Sequence, residues 1–237
     1  MQEKPTAGIV YLVPVPVAEG AAHTISPEVT EQTLHITHYF VENLRTARRF
    51  LKLLHPSINI DSLGFSEIDK HSGADIELFK KWLGEGHKIG IMSESGCPGV
   101  ADPGSELVAV AHAMEASVVP LVGPSSILLA LMASGFNGQS FCFRGYLPVK
   151  EPQRSKSLKD FEVVSIKEKQ TQIFIETPYR NNLFLEDILK NCNNTTKVCI
   201  AQNITAPDAY IKTRTAANWK KDKPLLSKVP TVFLLLG

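Results

Sequence analysis

The sequence predicts an α/β chain built from a parallel-sheet domain in residues 1–138 and a mixed-sheet domain in residues 139–237. Two observations carry that expectation. Before residue 134, short apolar runs rich in β-branched residues alternate four times with loops and helix-spaced segments. Strand, loop and helix in that order build a parallel sheet covered on both faces. Beyond Ser134-Gly-Phe-Asn-Gly-Gln139, a turn-rich stretch read as the interdomain link, strands dominate and antiparallel neighbours become plausible.

Taken in order, residues 8–13 form a buried strand that ends at Pro14 and Pro16. Ser26-Pro27-Glu28 supplies an N-cap, a first-turn proline and a first-turn acid, so a helix starts there. A second strand fits 35–41, and 43–54 has helical spacing of Leu44, Ala47, Leu51 and Leu54. Residues 76–83 read as a helix, 88–92 as a strand, 103–113 as a helix, 117–122 as a strand and 125–133 as a helix. In the second half, 141–146, 171–176, 197–204, 209–215 and 230–236 read as strands. Residues 178–191 and 216–220 read as helices.

Composition excludes several classes. With 43% hydrophobic and 21% charged residues the chain matches an ordinary globular protein. No apolar run approaches the roughly 20 residues that cross a bilayer. Residues 1–6 lack the layout of a secretory signal, so a cytoplasmic protein without membrane partners is expected. Cys97, Cys142, Cys192 and Cys199 are scattered, which fits unpaired thiols and no structural zinc; no metal site is expected. Neither G-x-G-x-x-G nor a Walker A pattern occurs, and Gly84-Glu-Gly86 precedes a strand instead of opening a helix. Charge is split: residues 1–140 hold 9 Lys/Arg and 15 Asp/Glu (−6), and residues 141–237 hold 16 and 9 (+7). A basic half can attract a phosphate backbone, with Lys150, Arg154, Lys156 and Lys159 near the link; two unremarkable solvated surfaces would give the same split.

Three loops stand where ligands bind in such sheets, beyond the carboxyl ends of strands. Ser93-Glu-Ser-Gly-Cys-Pro-Gly-Val-Ala-Asp-Pro-Gly104 packs three glycines and two prolines into twelve residues, an irregular backbone that a nucleoside cofactor can approach closely. Within it, Asp102-Pro103 reads more simply as a helix cap and first turn. Val122-Gly-Pro-Ser-Ser126 opens a helix, where Ser125 and Ser126 either cap it or meet an oxygen-rich ligand. Val13-Pro-Val-Pro-Val-Ala-Glu-Gly20 follows the first strand and is by itself only a Pro-rich loop.

Together these loops resemble those of the tetrapyrrole methylase superfamily of S-adenosylmethionine-dependent methyltransferases. The closer likeness is to its branch that 2'-O-methylates a cytidine ribose of bacterial small-subunit ribosomal RNA. That branch carries V-P-T-P-I-G-N, S-D-A-G-T-P-G-I-S-D-P-G, P-L-P-G-P-S and G-F-L-P. Here Tyr-Leu-Val-Pro-Val-Pro-Val17, the 93–104 loop, Pro-Leu-Val-Gly-Pro-Ser125 and Arg144-Gly-Tyr-Leu-Pro148 stand in the same order. Ile173-Phe-Ile-Glu-Thr-Pro-Tyr-Arg180 matches the family's I-F-Y-E-S-P-H-R. The resemblance implies a two-domain fold, with S-adenosyl-L-methionine in a cleft between the domains. It implies cofactor contacts from Pro16, Val17, Ser95, Gly96, Cys97, Pro98, Gly99, Val100, Ser125 and Ser126, and from Ile175, Ala201 and Pro230 in the second domain. A homodimer acting on ribosomal RNA or the small subunit is likewise implied.

Departures concern the acceptor side. The family's A-E-D-T-R stands as Val41-Glu-Asn-Leu-Arg45, so Glu42 and Arg45 remain while Asn43 replaces an acid. Cys97 replaces a Thr, and the first loop ends Ala18-Glu19-Gly20 in place of G-N-L. A ribose hydroxyl is a weak nucleophile, so Glu42 is the candidate general base, with Arg45 holding a phosphate or orienting Glu42. A simple i,i+3 surface pair is the competing reading. Arg48, Arg49 and Lys52 extend the basic stripe, in isolation hardly more than a solvated helix face. A small-molecule methylase and a non-catalytic S-adenosylmethionine-binding module are the alternatives to RNA methylation.

Overall fold

A computed structural model describes residues 8–69 and 71–237. The reading of residues 1–6 lies outside the described residues. The chain divides into two compact units, residues 1–125 and 126–237.

The first unit runs β1 (Ile9–Leu12), α1 (Pro27–Thr33), β2 (His38–Val41), α2 (Leu44–Leu54), β3 (Gly64–Glu67), α3 (Ile76–Gly84), β4 (Lys88–Met92), α4 (Ser105–Ala113) and β5 (Ser117–Pro120). Its five strands are all parallel, in the order β3-β2-β4-β1-β5. The two-residue side-chain period of β1 sends Ile9 and Tyr11 to one face, where Val29, Ala47, Phe50 and Leu51 of α1 and α2 cover them. Val10 and Leu12 face Phe79, Leu83, Leu107 and Ala111 of α3 and α4. Right-handed crossovers explain the two layers: the chain steps outward from β1 to β3 over one face and returns through β4 to β5 over the other. All five strands therefore end at one edge, and their loops gather there.

Three details differ from the sequence reading. Strand β3 was not expected; its four residues carry too little pattern to show a period. The second strand begins at His38, not at residue 35. Helix α4 is capped at Gly104, so Asp102-Pro103 is not its start; the irregular loop runs two residues further before helical hydrogen bonding begins.

The second unit comprises α5 (Ser126–Ser134), β6 (Phe141–Gly145), α6 (Gln153–Glu168), β7 (Thr171–Glu176), α7 (Asn181–Asn191), β8 (Lys197–Gln202), β9 (Tyr210–Thr215), α8 (Ala216–Lys221) and β10 (Thr231–Leu236). Its sheet has the order β6-β7-β10-β8-β9; β6 and β7 are parallel and the other pairs antiparallel. One face packs Ile173, Cys199, Ala201, Val232 and Leu234 under Ile127, Ala130 and Leu131 of α5. The opposite face packs Phe174, Val198, Ile200, Phe233 and Leu235 under α6, α7 and α8.

The boundary thus falls before α5, earlier than the 134–139 link that the sequence suggested. The apolar side of α5 is buried by the second sheet. The 134–139 stretch is a turn inside the second unit: Asn137 Nδ2 donates to the Lys169 carbonyl at 2.7 Å, and Thr171 Oγ1 donates to the Asn137 carbonyl at 2.9 Å.

Helix α6 was also absent from the sequence reading, for a visible reason. Its inward stripe is Arg154, Leu158, Glu162 and Ser165, three of them polar, so no apolar period shows. Arg154 Nη2 pairs with Asp187 Oδ2 at 2.8 Å, and both side chains are almost fully enclosed. Burial pushes the Asp187 carboxyl up from its ordinary pKa while Arg154 pulls it down. Glu162 accepts from the Asn193 backbone at 2.7 Å and from Thr196 Oγ1, tying α6 to the turn before β8. Arg154 is therefore not part of a basic surface, whereas Lys150, Lys156 and Lys159 are exposed.

Candidate active site

At the carboxyl edge of the first sheet, the loops after β1, β4 and β5 are joined. Val15 and Gly96 exchange two backbone hydrogen bonds, at 2.9 and 3.2 Å. Ser95 Oγ donates to the Val17 carbonyl at 3.2 Å. Cys97 Sγ donates to the Pro124 carbonyl at 3.4 Å. A side chain on Gly123 would meet Pro14 Cβ at 2.2 Å, so only glycine lets the β5 loop lie against the β1 loop. Gly96 has φ +72°, and a Cβ there would sit 3.4 Å from the Pro124 carbonyl oxygen and 3.8 Å from Val17 Cγ2. The result is a cradle floored by backbone. Val100 and Val122, 47% and 70% exposed, add apolar surface on the same loops.

Those features fit a nucleoside thioether, which needs close backbone approach and apolar walls. The loop's N–H groups are less available than its glycines suggest, because Gly96, Gly99 and Val100 donate to the carbonyls of Val15, Pro103 and Cys97. Pro98 is buried, while Pro16 and Val17 are half-buried. Burial pushes the Cys97 thiol up, which keeps it protonated and unreactive near neutral pH. Ser125 closes the first unit, and Ser126 is the first residue of α5 in the second.

Glu42 lies between β2 and the loop after β4. Its N–H donates to the Met92 carbonyl at 3.1 Å, and its Oε2 accepts from the Glu94 N–H at 3.0 Å. Glu42 precedes the N-cap of α2, so it is not on the helix surface. Asn43 is that cap: its Oδ1 accepts from the N–H groups of Arg45 and Thr46 at 3.0 and 3.2 Å. An aspartate would cap in the same way. Arg45 is exposed and, with Asn43, Leu44, Arg48, Arg49 and Glu67, lines a hollow of about 420 Å³. Glu67 Oε1 accepts from the Leu44 N–H at 2.8 Å. Sequence reasoning missed Glu67 and Phe65 because it missed β3; Arg48 lies 5.3 Å from the Phe65 ring centre.

In the second unit, Ile175 and Ala201 flank Val232 in one cross-strand row of β7, β10 and β8. Ala201 is fully buried and Ile175 half-buried. The Pro230 carbonyl, just before β10, accepts from the Asn203 N–H at 2.9 Å. These three predicted contacts sit at one end of that sheet.

The fold is that of the tetrapyrrole methyltransferases. The methyltransferase CobJ superposes with a TM-score of 0.62 at 19% identity, over 98% of this chain and 95% of that one. Uroporphyrin-III C-methyl transferase from Thermus thermophilus, solved with S-adenyl homocysteine, superposes with a TM-score of 0.57 at 16% identity, over 97% of each chain. No family model matches the chain. Ribosomal RNA small subunit methyltransferase I of Buchnera aphidicola subsp. Schizaphis graminum is 30% identical over 97% of this chain and 79% of its own length. The proteins of that name from Vibrio cholerae and Escherichia coli O157:H7 are each 31% identical over 84% of this chain and 66% of their own length. This chain belongs to the ribosomal RNA small subunit methyltransferase I family. Among the described residues, no helix is long and apolar enough to cross a membrane.

Proposed function

We propose that this chain is an S-adenosylmethionine-dependent methyltransferase whose acceptor is a ribose 2'-hydroxyl of small-subunit ribosomal RNA. The observation that carries the reading is the Val15–Gly96 pairing, which joins the β1 and β4 loops into one backbone cradle in a chain of this family. The cofactor supplies an electrophilic methyl on a sulfonium. In the reaction the ribose oxygen bonds to the methyl carbon, the carbon–sulfur bond breaks with its electron pair going to sulfur, and the hydroxyl proton leaves to a base.

The residues' work is chiefly alignment, an effect worth up to about 7–11 kcal/mol for well-oriented reactants. Gly96, Val17 and Val100 hold the donor. Glu42, its orientation set by the Glu94 N–H, takes the proton. A homodimer in the cytoplasm, alongside the ribosomal subunits, belongs to the same reading.

The test is methyl transfer from radiolabelled S-adenosylmethionine to small ribosomal subunits lacking the modification, beside an uroporphyrinogen arm. Label in the RNA at a ribose, stable to base hydrolysis, is expected. Label only in the tetrapyrrole overturns the reading in favour of a small-molecule methylase. Cofactor binding without transfer to either acceptor leaves a binding module.

A further inference from the structure

We infer that the hollow formed by Arg45, Arg48 and Arg49 holds a backbone phosphate of the RNA, next to the ribose that is methylated. This rests on the RNA-methyltransferase reading above and assigns the acceptor-binding residues within it.

The first unit contains only three arginines, and all three line this one hollow. Residues 1–140 as a whole are acidic, so the cluster is a local reversal of sign. Among the described residues none of the three guanidinium groups has a carboxylate partner. Their spacing of three and four along α2 sets like charges side by side, and Arg45 adds a cation to a helix N-terminus with no acid in its first turn. Both arrangements disfavour the helix and both are relieved by a bound anion. Glu67 is the one carboxylate of the hollow and is engaged with the Leu44 N–H, so the hollow stays net positive. Lys52, further along the same face, instead donates to the carbonyls of Pro56 and Ile58 at 3.3 and 2.6 Å. Guanidinium groups match a phosphate through paired N–H donors, and Arg48 is steadied over the Phe65 ring.

Position identifies the occupant. Glu67 and Val41 are register partners, so the hollow lies at the carboxyl ends of β3 and β2. Glu42 bridges the ends of β2 and β4, and the Gly96 cradle follows at β4, β1 and β5. Along one sheet edge the order is anion hollow, candidate base, methyl-donor cradle. Neighbouring strands are about 4.8 Å apart, so the hollow and the cradle are separated by roughly 10 Å. A nucleotide lying along that edge presents its phosphate to the arginines and its 2'-hydroxyl to Glu42.

The experiment compares the parent with the Arg48→Gln/Arg49→Gln double variant. It measures affinity for unmodified small ribosomal subunits across a salt series, and S-adenosylhomocysteine affinity in parallel. The expected result is a salt slope shallower by about 0.7, for the one lost single-strand phosphate contact, with parental S-adenosylhomocysteine affinity. A parental slope in the folded variant overturns the inference, as does an equal loss of S-adenosylhomocysteine affinity, which makes the arginines a support for the cradle. If the Gln variant does not fold, Arg48→Lys/Arg49→Lys keeps the charge but not the paired donors. It should bind subunits several-fold more weakly at an unchanged slope, and parental affinity there overturns the inference. A parent that neither binds nor methylates subunits takes down the RNA reading itself. Loss of uroporphyrinogen binding in place of RNA binding assigns the hollow to carboxylates and overturns the phosphate assignment.

Discussion

The carboxylate of Glu42 accepts a hydrogen bond from the backbone N–H of Glu94 at 3.0 Å, across the ends of two neighbouring strands. One side chain thus ties the loop that carries Gly96 to the end of β2 and is also the base proposed above, and substitution can separate the two tasks. In Glu42→Gln the amide oxygen still accepts from Glu94, so S-adenosylhomocysteine affinity should be retained while methyl transfer falls about 10²–10⁴-fold. Glu42→Ala should lose both. Equal turnover in Glu42→Gln and the parent would assign proton removal elsewhere.

S-adenosylhomocysteine should raise the melting temperature, since binding to the native state alone stabilises by about 2.7 kcal/mol at a hundredfold excess over Kd. Gly96→Val should abolish that shift. Its branched side chain fills the cradle and must adopt φ +72°, at a cost of about 1–2 kcal/mol or somewhat more. Calorimetry with and without ligand reads both effects. A folded variant with parental ligand stabilisation would move the cofactor to another part of the chain.

Alkylation of Cys97 offers a map of the site that does not depend on turnover. Only the thiolate reacts, and burial holds this thiol above its ordinary pKa of 9.0. Iodoacetamide labelling of Cys97 should therefore be slow at pH 7 and still be rising with pH beyond 9. Peptide mass spectrometry should show S-adenosylhomocysteine slowing it. Labelling that is complete and ligand-independent at pH 7 would place Cys97 away from the cofactor.

Lys150, Lys156 and Lys159 are exposed, while Arg154 is enclosed with Asp187, so the four basic residues should behave in two ways. Changing the three lysines to Gln should leave stability near parental and lower the salt slope of subunit binding by up to about 0.7–0.9 per contact. Arg154→Gln should instead cost about 3–5 kcal/mol, because it strands the Asp187 carboxylate in the interior. Urea denaturation distinguishes the two, and a neutral Arg154→Gln would contradict the buried pair.

What the sequence determined on its own was whatever is encoded locally. Four of the five parallel strands and the 93–104 loop could be read because apolar runs, prolines and glycines act within a few residues of themselves. The family resemblance rested on those same loops. Tertiary structure decided whatever depends on partners distant in the chain. The inward stripe of α6 is Arg154, Leu158, Glu162 and Ser165, and its three polar members bond to Asp187, Asn193, Thr196 and Gln170, so the helix carries no apolar period. Helix α5 is nearly apolar all round, and only the second sheet shows which unit buries it. The arginine hollow needed Glu67 and Phe65 from β3, a strand of four residues that gains its hydrogen bonds from β2 and has little signal alone. Backbone N–H groups that looked open on glycines proved engaged, because hydrogen bonding is settled by which carbonyl lies opposite once the chain has folded.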